Sequence, residues 1–244
     1  MLFLSRPRRR QHKRWQPGGQ PVTYRGSVRQ FLVIARSFPA VYRKRGLVRT
    51  LHLGMRDLLF DLWNATETSI EIGSGAVAPR NRYERHEACN PLIFVELLRH
   101  VRLDVRTSTF LDIGAGKGRA LLLAARHGFG KVIGVELSPE LCAVAQRNIT
   151  RYCRRHPGSR IELHCVDAAG FDVPIEVNVA FLFNPFGPDV MLAVLDRIAE
   201  SIGRFPRDFY IVYLNPRHED LLVGAGFLPV YRQGADGLIL RRHR

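Results

Sequence analysis

Beyond residue 90 the chain alternates short, mostly apolar runs with longer stretches in which apolar residues recur every three or four positions. A short apolar run bounded by turn residues reads as a strand buried on both faces. The three-to-four spacing reads as a helix with one buried stripe. On this basis TFLDI (109–113), KVIGVE (131–136), RIELHCV (160–166), VNVAFLF (177–183) and DFYIVYL (208–214) are predicted strands. Helices are predicted over Pro91–Val101, Arg119–His127, Ser138 to about Tyr152, about Asp189 to Ile202, and near Glu219–Val223. In the helix after Ser138, that serine is the N-cap and Pro139 the first helical residue, while Leu137, Leu141, Val144, Ala145, Asn148 and Tyr152 keep one face. Strands separated by helices pair in parallel through right-handed crossovers. The last two runs, FLPVYRQ and LILRR, flank the turn GADG and so must be antiparallel neighbours. The expected fold is α/β: a doubly wound seven-strand sheet, mostly parallel, ending in an antiparallel C-terminal hairpin.

Upstream the pattern is different. Residues 1–26, with RPRRRQHKRW and QPGGQP, are too polar and too broken by Pro and Gly to pack, and are expected to form a flexible basic arm. Residues 27–82 read as a helical N-terminal extension and loop, from the series Val28, Phe31, Leu32, Ala35 and Leu47, Leu51, Leu58, Leu59, Leu62, then Gly73, Gly75 and Pro79. The main domain is expected to span 83–244.

Charge sharpens that division. The formal net charge is +15, yet residues 1–56 hold fourteen Lys and Arg and no acid, which leaves the remainder close to neutral. A cationic segment of this kind suits an anionic partner, RNA or an anionic membrane, through residues 1–56; a merely solvated arm is the other reading. Hydrophobic residues at 46% exclude disorder over most of the chain. Cys89, Cys142, Cys153 and Cys165 form no C-x-x-C pair, and neither His164–Cys165 nor Cys153–His156 has a second ligand pair at zinc spacing. Reduced thiols, no metal and a cytoplasmic location are therefore expected. No apolar run approaches a membrane span, and MLFLSRPRRR reverses the order of a secretory signal. An Arg-rich, acid-free start is also the composition of a mitochondrial transit peptide.

In doubly wound sheets a ligand sits past the carboxyl ends of the strands, where the winding reverses. After the first strand comes Asp112-Ile113-Gly114-Ala115-Gly116-Lys117-Gly118, whose alternate glycines allow a sharp turn and a close approach to a ligand. Glu136 ends the second strand, placed to accept both hydroxyls of a ribose; Asp167-Ala168 follow the third, and Asn184-Pro185-Phe186 the fourth. A dinucleotide site would need a third glycine where Arg119 stands, and a phosphate-binding loop would need Ser or Thr where Gly118 follows Lys117.

On these residues, 109–186 resemble class I S-adenosylmethionine-dependent methyltransferases. The resemblance implies that Asp112, Gly114, Ala115 and Gly116 hold the methionine part of the methyl donor. It implies that Glu136, beside Leu137, takes the ribose, that Asp167 and the Ala168 backbone take the adenine, and that Asn184 borders the cofactor. From RYE (82–84) through FLFNPFG and VYLNP the chain is also similar to uncharacterised bacterial methyltransferase-domain proteins, and more loosely to seven-strand protein-lysine methyltransferases. Asn184-Pro185-Phe186 resembles the Asn-Pro-Pro-aromatic motif of enzymes that methylate planar amino groups, with one proline missing. Asn184, Pro185 and Phe186 are therefore candidate acceptor-side catalytic residues. A turn with Phe186 in the core is the competing reading. Tyr83 and Glu84, with His86 and Glu87, are candidates to orient the acceptor or take its proton. The implied acceptor is a nitrogen of a protein or other macromolecule; a small metabolite, or a polyanion- or membrane-binding protein with an inactive methyltransferase fold, are the alternatives.

Overall fold

The computed structural model describes residues 61, 66, 68, 89–183 and 186–243. The expected arm at 1–26, most of the 27–82 extension, Tyr83, Glu84, His86, Glu87, Asn184 and Pro185 lie outside the described residues.

Seven strands form one sheet: β1 (Thr109–Ile113), β2 (Lys131–Glu136), β3 (Ile161–Cys165), β4 (Val177–Phe183), β5 (Phe209–Leu214), β6 (Leu228–Gln233) and β7 (Gly237–Arg242). Their order is β3-β2-β1-β4-β5-β7-β6. The first five pair in parallel, and β7 runs antiparallel to both β5 and β6. A dinucleotide domain would end on a parallel sixth strand; here the hairpin returns and inserts β7 beside β5. The winding reverses between β1 and β4, so the ligand crevice should open above the carboxyl ends of these two central strands.

Within the described stretch from residue 89 onward, five α-helices accompany the sheet: α1 (Pro91–Leu98), α2 (Arg119–His127), α3 (Pro139–Arg155), α4 (Pro188–Arg204) and α5 (Glu219–Gly224). Strand alternation sorts the core into two layers. Phe110, Val132, Val179, Phe181, Tyr210 and Val212 cluster with residues of α1, α2 and α3. Leu111, Ile113, Ile133, Ala180, Ile211 and Leu240 cluster with α4 and α5. The elements expected beyond residue 90 are all present, with ends displaced by up to a few residues. The expected helix 91–101 stops at Leu98, and α3 runs on to Arg155.

The caps explain the starts. Asn90 accepts a hydrogen bond from the Leu92 amide ahead of Pro91, and Ser138 accepts one from Leu141 ahead of Pro139. Close approach of α2 to β2 depends on Gly134, where a Cβ would lie 2.7 Å from Leu121 Cδ1. In β4, Asn178 interrupts an apolar run because its side chain accepts from the Thr109 amide at 3.1 Å, where the β1–β4 register shifts.

Candidate active site

The turn after β1 is built from three glycines with left-handed backbone, Gly114 (φ 88°), Gly116 (φ 54°) and Gly118 (φ 84°). Any residue with a Cβ is strained there. Neighbouring strands and helices hold the turn at several points. The carbonyl of Val135 in β2 accepts from both the Gly114 and Ala115 amides at 2.9 Å. Glu136 Oε2 accepts from the Gly116 amide at 2.7 Å, and its Oε1 from the Ser138 amide at 2.9 Å. From α3, Asn148 Nδ2 donates to the Lys117 carbonyl at 3.0 Å. Arg119, the first residue of α2, donates through Nε to the Thr68 hydroxyl at 2.7 Å and lies 3.7 Å from Asp61 Oδ2.

Asp112 lies one residue before the end of β1, on the layer that faces α1, α2 and α3, and is 3% exposed. Its strand partners are Gly134 and Phe181, and no described residue donates a hydrogen bond to its carboxylate. Burial first, then the nearby Glu136 carboxylate, push its carboxyl up to about 8. Glu136 is also lifted above the ordinary carboxylate range, because burial outweighs the downward pull of the Ser138, Gly116 and Leu137 amides. Two acids at the ends of adjacent strands are thus both disfavoured as anions, a state that a nearby cation would reverse.

The rest of the expected set falls along the same edge of the sheet. The Val166 amide donates to the Glu136 carbonyl at 2.9 Å, so the chain leaving β3 runs beside the end of β2. It carries Asp167, whose Oδ1 accepts from the Ala169 amide at 3.0 Å and starts a short turn over Ala168–Gly170. Asp167 is exposed, Ala168 half-buried, and Leu137 38% exposed. Phe186 is 3% exposed and belongs to the core layer with Val190 and Met191.

Five residues in or around the turn were not among the sequence-derived site residues. Asn148 had a signal, as an amide on an otherwise apolar helical face. Lys117 and Arg119 counted only against other loop types, yet both are buried, at 1% and 4%. Asp61 and Thr68 gave no signal at all. Among the described residues no three His, Cys, Asp or Glu side chains gather as a metal-ion set. No helix of the described residues is long and apolar enough to cross a membrane.

A glycine turn after β1, a buried acid before it, a ribose-competent acid ending β2 and a β7 inserted beside β5 define a class I, Rossmann-like methyltransferase domain. The comparisons agree: residues 110–202 match the family model described as "Methyltransferase domain". The chain is similar to a histone-lysine N-methyltransferase specific for H3 lysine-79 from Dictyostelium discoideum, 32% identical over 108 residues, which are 40% of this chain and 6% of that protein. It is similar to the ribosomal protein L11 methyltransferase of Vibrio cholerae serotype O1, 28% identical over 118 residues, 43% of this chain and 40% of that one. The chain thus spans less than half the length of either relative. A ribosomal protein L11 methylase structure from Lactobacillus delbrueckii subsp. bulgaricus aligns at a TM-score of 0.45 and 16% identity, over 62% of this chain and 78% of that one.

Proposed function

We propose that this chain transfers a methyl group from S-adenosylmethionine to a nitrogen of a protein or other macromolecule. The observation that carries the donor assignment is the buried Asp112, a carboxyl with no donor among the described residues, beside the Glu136-tethered glycine turn. An α-ammonium supplies the donor that Asp112 lacks, and Gly114, Ala115 and Gly116 leave room beside it for the methionine chain. Glu136 already accepts two amide hydrogen bonds, but a carboxylate offers about four acceptor sites, which leaves capacity for a ribose diol. Leu137 offers an exposed apolar surface to the adenine, and Asp167 with the Ala168 backbone offers polar groups to its edge.

When bound, the donor would supply a methyl group on a positively charged sulfur: an acceptor lone pair would attack the methyl carbon in line, and the sulfur would leave as a neutral thioether with the electron pair of the broken bond. The chain's part is to bind, orient and exclude water. A lysine acceptor, with a reference pKa of ~10.4, must first lose a proton; Tyr83 and Glu84 are the residues proposed to orient it or take that proton, with Asn184, Pro185 and Phe186 on the acceptor side. Support for a macromolecular acceptor comes from two relatives whose names specify protein substrates, a histone and ribosomal protein L11. The fourteen cationic residues of 1–56 would engage an acidic partner such as RNA or ribosomal material. The full chain incubated with methyl-labelled donor and fractionated cell extract should label the protein fraction. Label confined to small molecules would overturn the acceptor assignment, and no thermal stabilisation by the donor at any concentration would overturn the donor assignment.

A further inference from the structure

The exit of the glycine turn is held by a part of the chain far from it in sequence. Arg119 follows Gly118 directly and opens α2, so its guanidinium lies at the positive end of a helix dipole, where a cation is disfavoured. It is also buried, at 4% exposure. Asp61 (1% exposed) and Thr68 (1%) meet it there. The Thr68 hydroxyl donates to Asp61 Oδ1 at 2.6 Å while accepting from Arg119 Nε at 2.7 Å. Asp61 is fixed in turn, its carboxylate accepting from the Thr66 hydroxyl at 2.8 Å and the Thr68 amide at 3.1 Å. A buried ion pair is a poor way to add stability, since apolar residues of similar volume often do as well or better. It does fix a position. We infer that Asp61, Thr68 and Arg119 form a positioning bridge that holds the glycine turn in its donor-binding shape, making Asp61 and Thr68 supports of the methyl-donor site.

The inference rests on the proposed donor assignment and deepens it. The entrance of the turn is pinned by Val135 and Glu136 within the sheet, whereas its exit is held by Asn148 of α3 and by a segment about fifty residues earlier. A three-glycine turn released at one end regains backbone freedom that the ligand must then remove on binding. Weakening the bridge should therefore lower donor affinity even though Asp61, Thr68 and Arg119 touch no ligand themselves.

The gentlest test is Thr68→Val, which keeps shape and volume but removes the hydroxyl that links Asp61 to Arg119. In the full chain, S-adenosylmethionine should bind roughly tenfold more weakly by titration calorimetry, the penalty of ordering about one residue. Amide exchange at Gly116 and Gly118 should accelerate by a similar factor while Ile211 and Val212 in β5 stay protected, and Thr68→Ser should restore both readouts. A purely structural anchor would instead speed exchange evenly through the domain and leave affinity unchanged. That outcome, or wild-type exchange at both glycines, overturns the bridge. Failure of the wild-type chain to bind the donor overturns the assignment beneath it, and the exchange arm still decides whether the bridge holds the turn.

Discussion

Asp112→Asn should do two opposite things, stabilise the free protein and weaken its hold on the methyl donor. In the unfolded chain the carboxyl loses its proton near 3.8, whereas in the fold it keeps it to about 8. Between these values the folded state binds one more proton than the unfolded state, so stability falls as pH rises through the window and levels off above about 8. At 1.36 kcal/mol per pH unit, a little over three units separate 3.8 from neutrality, a loss of roughly 4 kcal/mol at pH 7. Asparagine has nearly the same shape and does not titrate. The advantage of the variant should grow from near zero at pH 4 to that value at pH 7. For a domain of this size it amounts to a rise in Tm of about 8–16 °C. Thermal unfolding of both proteins from pH 4 to 8 measures it, and the difference between them removes every other titrating group. A flat difference, or a variant less stable at pH 7, would refute the reasoning.

The ligand half follows from the same carboxyl. A cationic ligand favours the ionised form, so donor binding below pH 8 should expel close to one proton, seen as a dependence of binding enthalpy on buffer ionisation. Affinity should rise up to tenfold per pH unit towards about 8, then stop rising as the donor's own α-amino group begins to lose its proton. Asp112→Asn should release no proton and bind roughly a hundredfold more weakly, the scale of one lost hydrogen bond to a charged group.

Glu136→Gln keeps one acceptor but turns an NH2 group towards the Gly116 or Ser138 amide; donor affinity should fall at least tenfold, and an unchanged Kd would remove Glu136 from the site. Gly134→Val places a side chain where even a Cβ lies 2.7 Å from Leu121 Cδ1, and urea unfolding should show a loss of about 1–3 kcal/mol.

The fold was legible because its signals are local. Strands β1, β4 and β5 are buried almost throughout and therefore read as mostly apolar runs, and α3 and α4 carry one apolar stripe each. The hairpin announced itself through GADG. The donor side of the site was legible for a related reason: three alternate glycines require left-handed backbone, and an acid in a fully buried strand has no packing rationale. Asp61 and Thr68 were not legible, because no periodicity links them to Arg119, and a polar residue in an amphipathic stretch looks the same whether it faces water or a buried guanidinium. For Phe186, core packing and acceptor stacking predict the same residue type, so the sequence alone could not rank them.

Four residues whose chemistry disagrees with their surroundings share one location, while a second buried polar pair, Arg207 with Ser201 of α4, lies apart from it. Asp112 is an acid in an apolar strand, Asn148 an amide on an apolar helical face, Lys117 a buried cation, and Arg119 a buried cation at the wrong end of a helix. Each carries a local cost in desolvation or dipole repulsion. Each lies in the glycine turn, immediately beside it, or hydrogen-bonded to it. Their concentration around Gly114–Gly118 places the demand on the shape of that turn and on the charge facing it, the two properties that an extended cationic ligand needs from a binding site.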